Sequence, residues 1–151
     1  MYKKIVCLLV ALCMVLPVAV LGEEITLSSI YPTIKTMMNA SYYETKAIME
    51  ELLRYNYTEC DNHYWYYLES SVDEEIIYEI YLELNYEDNR FIHIASVHSS
   101  LTDHPLIMVE YNGEAPDENV VADYLALGMH MKEIQDKDEL NHNIQFAMDI
   151  D

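Results

Sequence analysis

Glycine is scarce in this chain of 151 residues, which contains only Gly22, Gly113 and Gly128. A phosphate-binding P-loop and a dinucleotide-binding turn each need several glycines close together, because the backbone must approach the phosphates. Neither motif can be written in this sequence, and the G-x-S-x-G turn of many hydrolases is missing as well. The sequence therefore excludes nucleotide chemistry through these routes, and it predicts no cofactor.

Basic residues are also few. The chain has 8 lysine and arginine residues against 27 aspartate and glutamate residues, for a formal net charge of −19 at pH 7. A surface this negative repels phosphate backbones and anionic lipids, so no nucleic-acid partner is expected, whereas a cationic partner is favoured. Because 52% of the residues are hydrophobic, the composition is that of a folded acidic domain and not of a disordered chain.

Cysteine does not supply a covalent framework. Cys7 and Cys13 lie in the apolar N-terminal segment, which leaves Cys60 alone in the rest of the chain. No intramolecular disulfide is then possible in that part, so the fold must rest on its hydrophobic core. Cys60 is expected to be a buried, inert thiol, with pairing between two chains as the alternative.

The N-terminus has the architecture of a signal peptide. A positively charged start is followed by an apolar run over residues 5–21 and by the small residue Gly22. We therefore predict that export removes residues 1–22, and that 23–151 form one acidic domain that is secreted or held in the cell envelope. A membrane contact is expected only through this segment before cleavage. An uncleaved signal anchor is the alternative, but Pro17 near the end of the run favours cleavage.

Two helices are predicted at the start of the mature chain. Ser28 and Ser29 precede an apolar stretch with Pro32 just inside it, which is typical of a helix N-terminus. The spacing of Ser41 and Glu44 matches a capping box and predicts the start of a second helix. The expected buried stripe of that second helix consists of Tyr43, Ala47, Ile48, Leu52 and Tyr55.

From residue 63 the hydrophobic period changes to two, which is typical of strands. The runs 63–68, 76–86, 91–98 and 106–111 are predicted as four strands, and their short connections indicate an antiparallel meander. In the second strand, one face is expected to carry Tyr78, Ile80, Leu82 and Leu84, and the opposite face Glu79, Glu83 and Asn85.

The C-terminal part is predicted to be helical. Apolar residues recur at helical spacing over 117–134, after Pro116, and a last short helix is expected over 139–148. The fold class is therefore α+β. We expect N-terminal helices, a four-stranded antiparallel meander and a C-terminal helix, with the helices packed on one face of the sheet.

Tyrosine is the most unusual positive feature, with 14 residues in the chain. Alternation along the first strand sets Trp65 and Tyr67 on one face, and Tyr81 joins them on the helix-free face if the first two strands pair in that register. Exposed aromatic strips bind peptides, sugars or protein partners. We therefore predict Trp65, Tyr67 and Tyr81 as binding residues. Cross-strand aromatic packing that only stabilises the sheet is the alternative.

Metal and thiol chemistry are weakly supported. His93 and His98 are separated by an odd number of residues and should point to opposite faces of a strand, so they cannot share a metal ion. A single E-x-x-H spacing ends at His142, whereas two-metal bundles use two such motifs. Cys60 and His63 are close in sequence, but the acidic neighbours of Cys60 disfavour its thiolate. No metal ligand and no catalytic residue is predicted.

The sequence thus predicts an exported, acidic, non-enzymatic binding or inhibitory module that contacts a protein, peptide or glycan through an aromatic strand face. The alternative is a secreted hydrolase with a carboxylate site or a Cys60/His63 site. A deep pocket joining Cys60 to an imidazole would favour the hydrolase. A flat aromatic face would favour binding.

Overall fold

Three helices and a six-stranded antiparallel sheet form the described part of this computed structural model, residues 25–57, 60–134 and 142–148. The α+β class is therefore confirmed, whereas the signal peptide predicted over 1–22 lies outside the described residues. Within them, no helix has both the length and the apolar character needed to cross a bilayer. The helices are α1 (Leu27–Met37), α2 (Tyr42–Asn56) and α3 (Glu118–Ala126), and the strands are β1 (Asn62–Val72), β2 (Glu75–Asn85), β3 (Phe91–Ser99), β4 (Leu106–Gly113), β5 (Met129–Ile134) and β6 (His142–Met148).

The strands lie in the order β1-β2-β3-β4-β6-β5, and every neighbouring pair is antiparallel. The first four strands are neighbours in chain order, as expected for the predicted antiparallel meander. The sheet then continues with β6, which lies between β4 and β5. The prediction of four strands is therefore wrong, because the C-terminal part of the chain adds two strands to the sheet.

The predicted C-terminal helix over 117–134 ends at Ala126. Gly128 follows with φ +83°, in the left-handed region that favours glycine, and it turns the chain out of α3 and into β5. The predicted last helix over 139–148 is also wrong, because β6 occupies His142–Met148. Among the residues that the structure describes, α3 is therefore the only helix after the fourth strand.

The capping box that starts α2 is present as predicted. The backbone N–H of Ser41 donates to Glu44 Oε2 at 2.8 Å, and the backbone N–H of Glu44 donates to Ser41 Oγ at 3.4 Å. A second capping box starts α1, and it is made by Thr26 and Ser29. Both helices therefore begin where their own side chains satisfy free backbone donors.

The buried side of α2 differs from the predicted stripe. Its buried side chains are Thr45, Met49, Leu52 and Asn56. Tyr43, which was expected to be buried, is 76% exposed. The buried amide of Asn56 is accommodated because its Nδ2 donates to the Leu52 carbonyl at 2.8 Å.

The hydrophobic core lies between the helices and one face of the sheet. The strand residues that join this core alternate with polar ones, and on β2 they are Ile80, Leu82 and Leu84, as predicted. The opposite face, which we call the open face, is covered by no helix among the described residues, because the buried faces of α1, α2 and α3 all join the same core cluster. The sheet thus presents one helix-covered face and one open face.

Candidate binding face of the sheet

The register of β1 and β2 separates the predicted binding residues. Trp65 pairs with Leu82 and Tyr67 pairs with Ile80, so both aromatic residues lie on the helix-covered face. Tyr81 pairs with Tyr66 on the open face. The prediction that Trp65, Tyr67 and Tyr81 share one face is therefore wrong. A register shift of one residue is sufficient to exchange the two faces of a strand.

Trp65 and Tyr67 have different surroundings on the helix-covered face. Trp65 is partly buried and packs against the hydrophobic core. Tyr67 is 52% exposed, and the ammonium nitrogen of Lys46 in α2 lies 3.7 Å from the centre of its ring. This is cation–π geometry within the chain itself. Tyr67 thus helps attach α2 to β1, whereas Trp65 contributes to the hydrophobic core.

Three tyrosines form what we call the aromatic patch on the open face: Tyr64, Tyr66 and Tyr81. The rings of Tyr66 and Tyr81 stack with centres 5.1 Å apart and planes 20° from parallel. Tyr64 meets both of them edge-on, at 5.5 and 6.0 Å, and it is 56% exposed. Sequence reasoning missed Tyr64 and Tyr66, although the same alternation that joins Trp65 to Tyr67 also joins these two.

A carboxylate–imidazole row crosses the open face beside the aromatic patch. Glu83 of β2, His93 of β3 and Glu110 of β4 lie directly opposite one another in successive strands. His93 Nδ1 is 3.3 Å from Glu110 Oε2, and His93 Nε2 is 3.6 Å from Glu83 Oε2. The ring of Phe91 stacks on that of His93 with centres 4.2 Å apart. The imidazole thus lies between two carboxylates and packs on the Phe91 ring.

Glu83 joins the row to the aromatic patch. Tyr81 OH donates to Glu83 Oε2 at 3.0 Å, and Asn85 Nδ2 donates to Oε1 at 2.6 Å. Desolvation raises the pKa of Glu83, but the hydrogen bond from Asn85, the charge of His93 and the Tyr81 hydroxyl outweigh it, so the pKa lies below its usual value. Glu83 is therefore an ionised acceptor on the open face at neutral pH.

The two groups proposed for thiol chemistry each interact with Tyr57. The Cys60 thiol donates to the Tyr57 carbonyl at 3.7 Å, and the His63 ring packs on the Tyr57 ring with centres 4.7 Å apart. Burial raises the pKa of the Cys60 thiol, and the charge of Asp61 raises it further. This environment opposes thiolate formation, so it does not favour the hydrolase alternative.

The histidines of β3 lie on opposite faces of the sheet, as predicted. His93 belongs to the open face, whereas His98 is buried on the helix-covered face with its Nε2 2.9 Å from Ser96 Oγ. In the part of the chain that the structure describes, no three potential ligands from histidine, cysteine, aspartate and glutamate are grouped to hold a metal ion. The E-x-x-H spacing that ends at His142 includes residue 139, outside the described residues.

Comparisons with known proteins give no guide to the role of these residues. No family model matches the chain, and no curated protein or solved structure matches it. No relative's activity is therefore carried over to this chain. The geometry of the open face is the basis for assigning a function.

Proposed function

We propose that this protein is an exported, non-enzymatic binding or inhibitory module that binds a cationic segment of another protein through the open face. One observation carries the proposal. The aromatic patch adjoins the ionised carboxylate of Glu83 on a sheet face that no described helix covers. Such a surface combines rigid contact area with fixed negative charge.

Lysine and arginine side chains suit both parts of this surface. Their charged heads bind over tyrosine rings, and they donate charge-assisted hydrogen bonds to carboxylates. On the other face of β1, the Lys46 ammonium group lies over the Tyr67 ring in this geometry, which supports the proposal. The net charge of −19 also attracts such a partner over a longer range.

A basic protein segment fits this surface better than a neutral glycan does. A glycan would stack on the aromatic patch, but it would gain little from Glu83 and Glu110. A basic segment uses the tyrosines and the carboxylates together. The two ligands also differ in salt dependence, because only the charged one loses affinity steeply as ionic strength rises.

Binding of a labelled lysine- and arginine-rich peptide, followed by fluorescence anisotropy, tests the proposal. Tyr66→Ala should weaken binding by at least about tenfold, because it removes the centre of the aromatic patch. Tyr67→Ala is the matched control on the opposite face of the same strand, and it should leave affinity within about twofold, as expected for a residue outside the contact. Glu83→Gln should reduce both the affinity and its salt dependence.

Three results would overturn the proposed function. The basic peptide fails to bind, or an acidic peptide of equal length binds equally well, or Tyr66→Ala and Tyr67→Ala weaken binding equally. Salt-independent binding of a neutral oligosaccharide that Tyr66→Ala abolishes would assign the open face to a glycan instead.

The export part of the proposal rests on the N-terminal sequence. The charged start, the apolar run 5–21 and Gly22 occur in the order that signal peptidase requires. Mass spectrometry of the exported protein should find a chain that begins at Glu23. An exported product that retains Met1 would reject cleavage and support the signal-anchor alternative.

A further inference from the structure

Strand β1 forms one outer edge of the sheet, and no described strand pairs with that edge. It is 11 residues long, whereas β5 at the other edge has 6. The backbone N–H and C=O groups that point away from β2 thus form a long edge that has no strand partner among the described residues. Such an edge is a template for a further strand.

The usual protections of an edge strand are missing from β1. Its sequence NHYWYYLESSV contains no proline, no lysine and a single formal charge, on Glu69. Its pairing with β2 is continuous over the whole strand, with no bulge to bend the edge away. Strand β5, in contrast, carries the charged residues Lys132 and Glu133 within its short length. The two edges of this sheet thus differ in how well they resist pairing.

We propose that β1 pairs antiparallel with β1 of a second copy of this chain, about a two-fold axis at Tyr66. The two sheets then join into one continuous sheet. This inference concerns the edge of the strand and its backbone, so it does not depend on which ligand the open face binds.

The sequence of β1 is self-complementary about Tyr66. In this register the charge of Glu69 lies opposite His63 of the second copy, so the only charge of the strand meets a hydrogen-bond donor. Trp65 lies opposite Tyr67 of the second copy on the same face. On the other face, Tyr64 lies opposite Leu68. Aromatic and apolar cross-strand pairs of this kind stabilise antiparallel strands.

The neighbouring registers lack this complementarity. An axis at Trp65 would bring Asp61 opposite Glu69, two like charges in direct opposition. An axis at Tyr67 would set Glu69 against Trp65 and leave the carboxylate without a donor. Registers between these three are excluded, because a two-fold axis perpendicular to the sheet pairs only residues that point to the same face.

The joined sheet keeps both open faces on the same side. Tyr66 lies at the axis, so the two aromatic patches become neighbours across it. The net charge of −19 on each chain opposes this association, and salt screens that repulsion. Added salt should therefore strengthen the dimer, whereas it weakens binding of a basic peptide. The two proposals thus fail separately in experiment.

Sedimentation equilibrium of the full chain over a range of concentrations tests the dimer. Leu68→Lys adds a charge at the exposed edge, and it should raise the dimer dissociation constant by at least about tenfold. Leu101→Lys is the matched control, since Leu101 is exposed in the loop between β3 and β4. It should leave the constant unchanged. A monomer at every concentration, or an equal effect of the two variants, would overturn the inference.

Cross-linking tests the register. In a background in which Cys7, Cys13 and Cys60 are all replaced by serine, Tyr66→Cys sets two thiols opposite each other, with Cα atoms about 4.5–5.5 Å apart, which is within disulfide reach. Tyr64→Cys is the control, because its two copies would be about 13 Å apart along the strands. With oxidised glutathione, only Tyr66→Cys should give a covalent dimer. Equal cross-linking of both variants would reject an axis at Tyr66.

Discussion

The hydroxyl of Tyr124 donates a hydrogen bond of 2.9 Å to the backbone carbonyl of Leu27, although the two residues are 97 positions apart in the chain. Tyr124 is fully buried in α3. Its ring stacks on Phe146 of β6 at 4.6 Å and meets Tyr31 of α1 edge-on at 5.5 Å. One side chain thus connects the first helix, the last helix and an inner strand.

Tyr124→Phe should lower the free energy of unfolding by about 1–2 kcal/mol. The ring packing is retained, but the Leu27 carbonyl loses its buried donor. Urea unfolding followed by circular dichroism measures the change. Tyr43→Phe is the control, because Tyr43 is 76% exposed, and it should leave the midpoint unaltered. Equal midpoints for the wild type and Tyr124→Phe would contradict the role given to this hydrogen bond.

Trp65→Ala should destabilise the fold by roughly 2–4 kcal/mol, because the indole is partly buried against the hydrophobic core. Tyr67→Ala should cost less than about 1 kcal/mol, since its ring is half exposed and its contact with Lys46 is weak in water. Thermal unfolding of the two variants checks both values. A Trp65→Ala protein as stable as the wild type would show that the indole is not a core residue.

The turn between β1 and β2 holds Asp73 at φ +51° and Glu74 at φ +71°. Glutamate rarely adopts this left-handed region, whereas glycine does so without strain. Glu74→Gly should therefore stabilise the protein by about 1 kcal/mol, as measured by urea unfolding. Glu74→Ala removes the same charge but keeps the Cβ atom, so it should give no such gain. A gain of the same size with alanine would point to charge and not to backbone strain.

His98 should make stability depend on pH. Burial lowers its pKa, so the folded protein holds it neutral beside Ser96, with Tyr42 edge-on at 6.0 Å. The unfolded chain gains a proton there as pH falls through about 6.5, and stability falls with it until the folded pKa is reached. Asp103 and His104 line the adjoining cavity of about 190 Å³.

His98→Gln should flatten this loss of stability between about pH 7.5 and 5.5, because glutamine does not titrate. Urea unfolding of both proteins at a series of pH values makes the comparison. Leu101→Gln is the control, because Leu101 is exposed and does not titrate, and this variant should leave the slope as it is. The same slope in the wild type and in His98→Gln would exclude His98 as its source.

The start of α2 and the two faces of β2 were predicted correctly because both depend on residues that are close together in the sequence. Ser41 and Glu44 start α2 because the two side chains cap each other, a contact within four residues of chain. The alternation of Leu82 with Glu83 fixes the two faces of β2 in the same local way. The buried stripe of α2 was predicted less well. The prediction treated tyrosine as an apolar residue of the helical stripe. In the structure Tyr43 faces solvent, whereas the polar residue Thr45 is buried.

Trp65 and Tyr67 were expected on the same face as Tyr81, and the turn between β1 and β2 explains why they are not. The first two strands were predicted over 63–68 and 76–86, whereas β1 extends to Val72 and only Asp73 and Glu74 form the turn. That two-residue turn sets the register in which Tyr66 meets Tyr81. Its usual sequence signal, a glycine after asparagine or aspartate, is missing here, so nothing in the pattern indicated a turn this short.

The sequence of β6 alternates between apolar and polar residues, but this region was interpreted as a helix. Ile144 and Phe146 are buried and alternate with Asn143 and Gln145, which is a period of two. The helical spacing that begins at residue 117 is correct until Gly128. Beyond it, apolar residues fit both periods over a short run, so the pattern alone did not separate the two structures.

The position of β6 between β4 and β5 has a consequence for the order in which the molecule is made. The ribosome synthesises β6 after every other described element, yet β6 is an inner strand and carries Ile144 and Phe146 into the core. Until His142–Met148 have emerged, β4 has no partner on one side and β5 has none at all. The six-stranded sheet therefore cannot be completed before the ribosome has made residues 142–148.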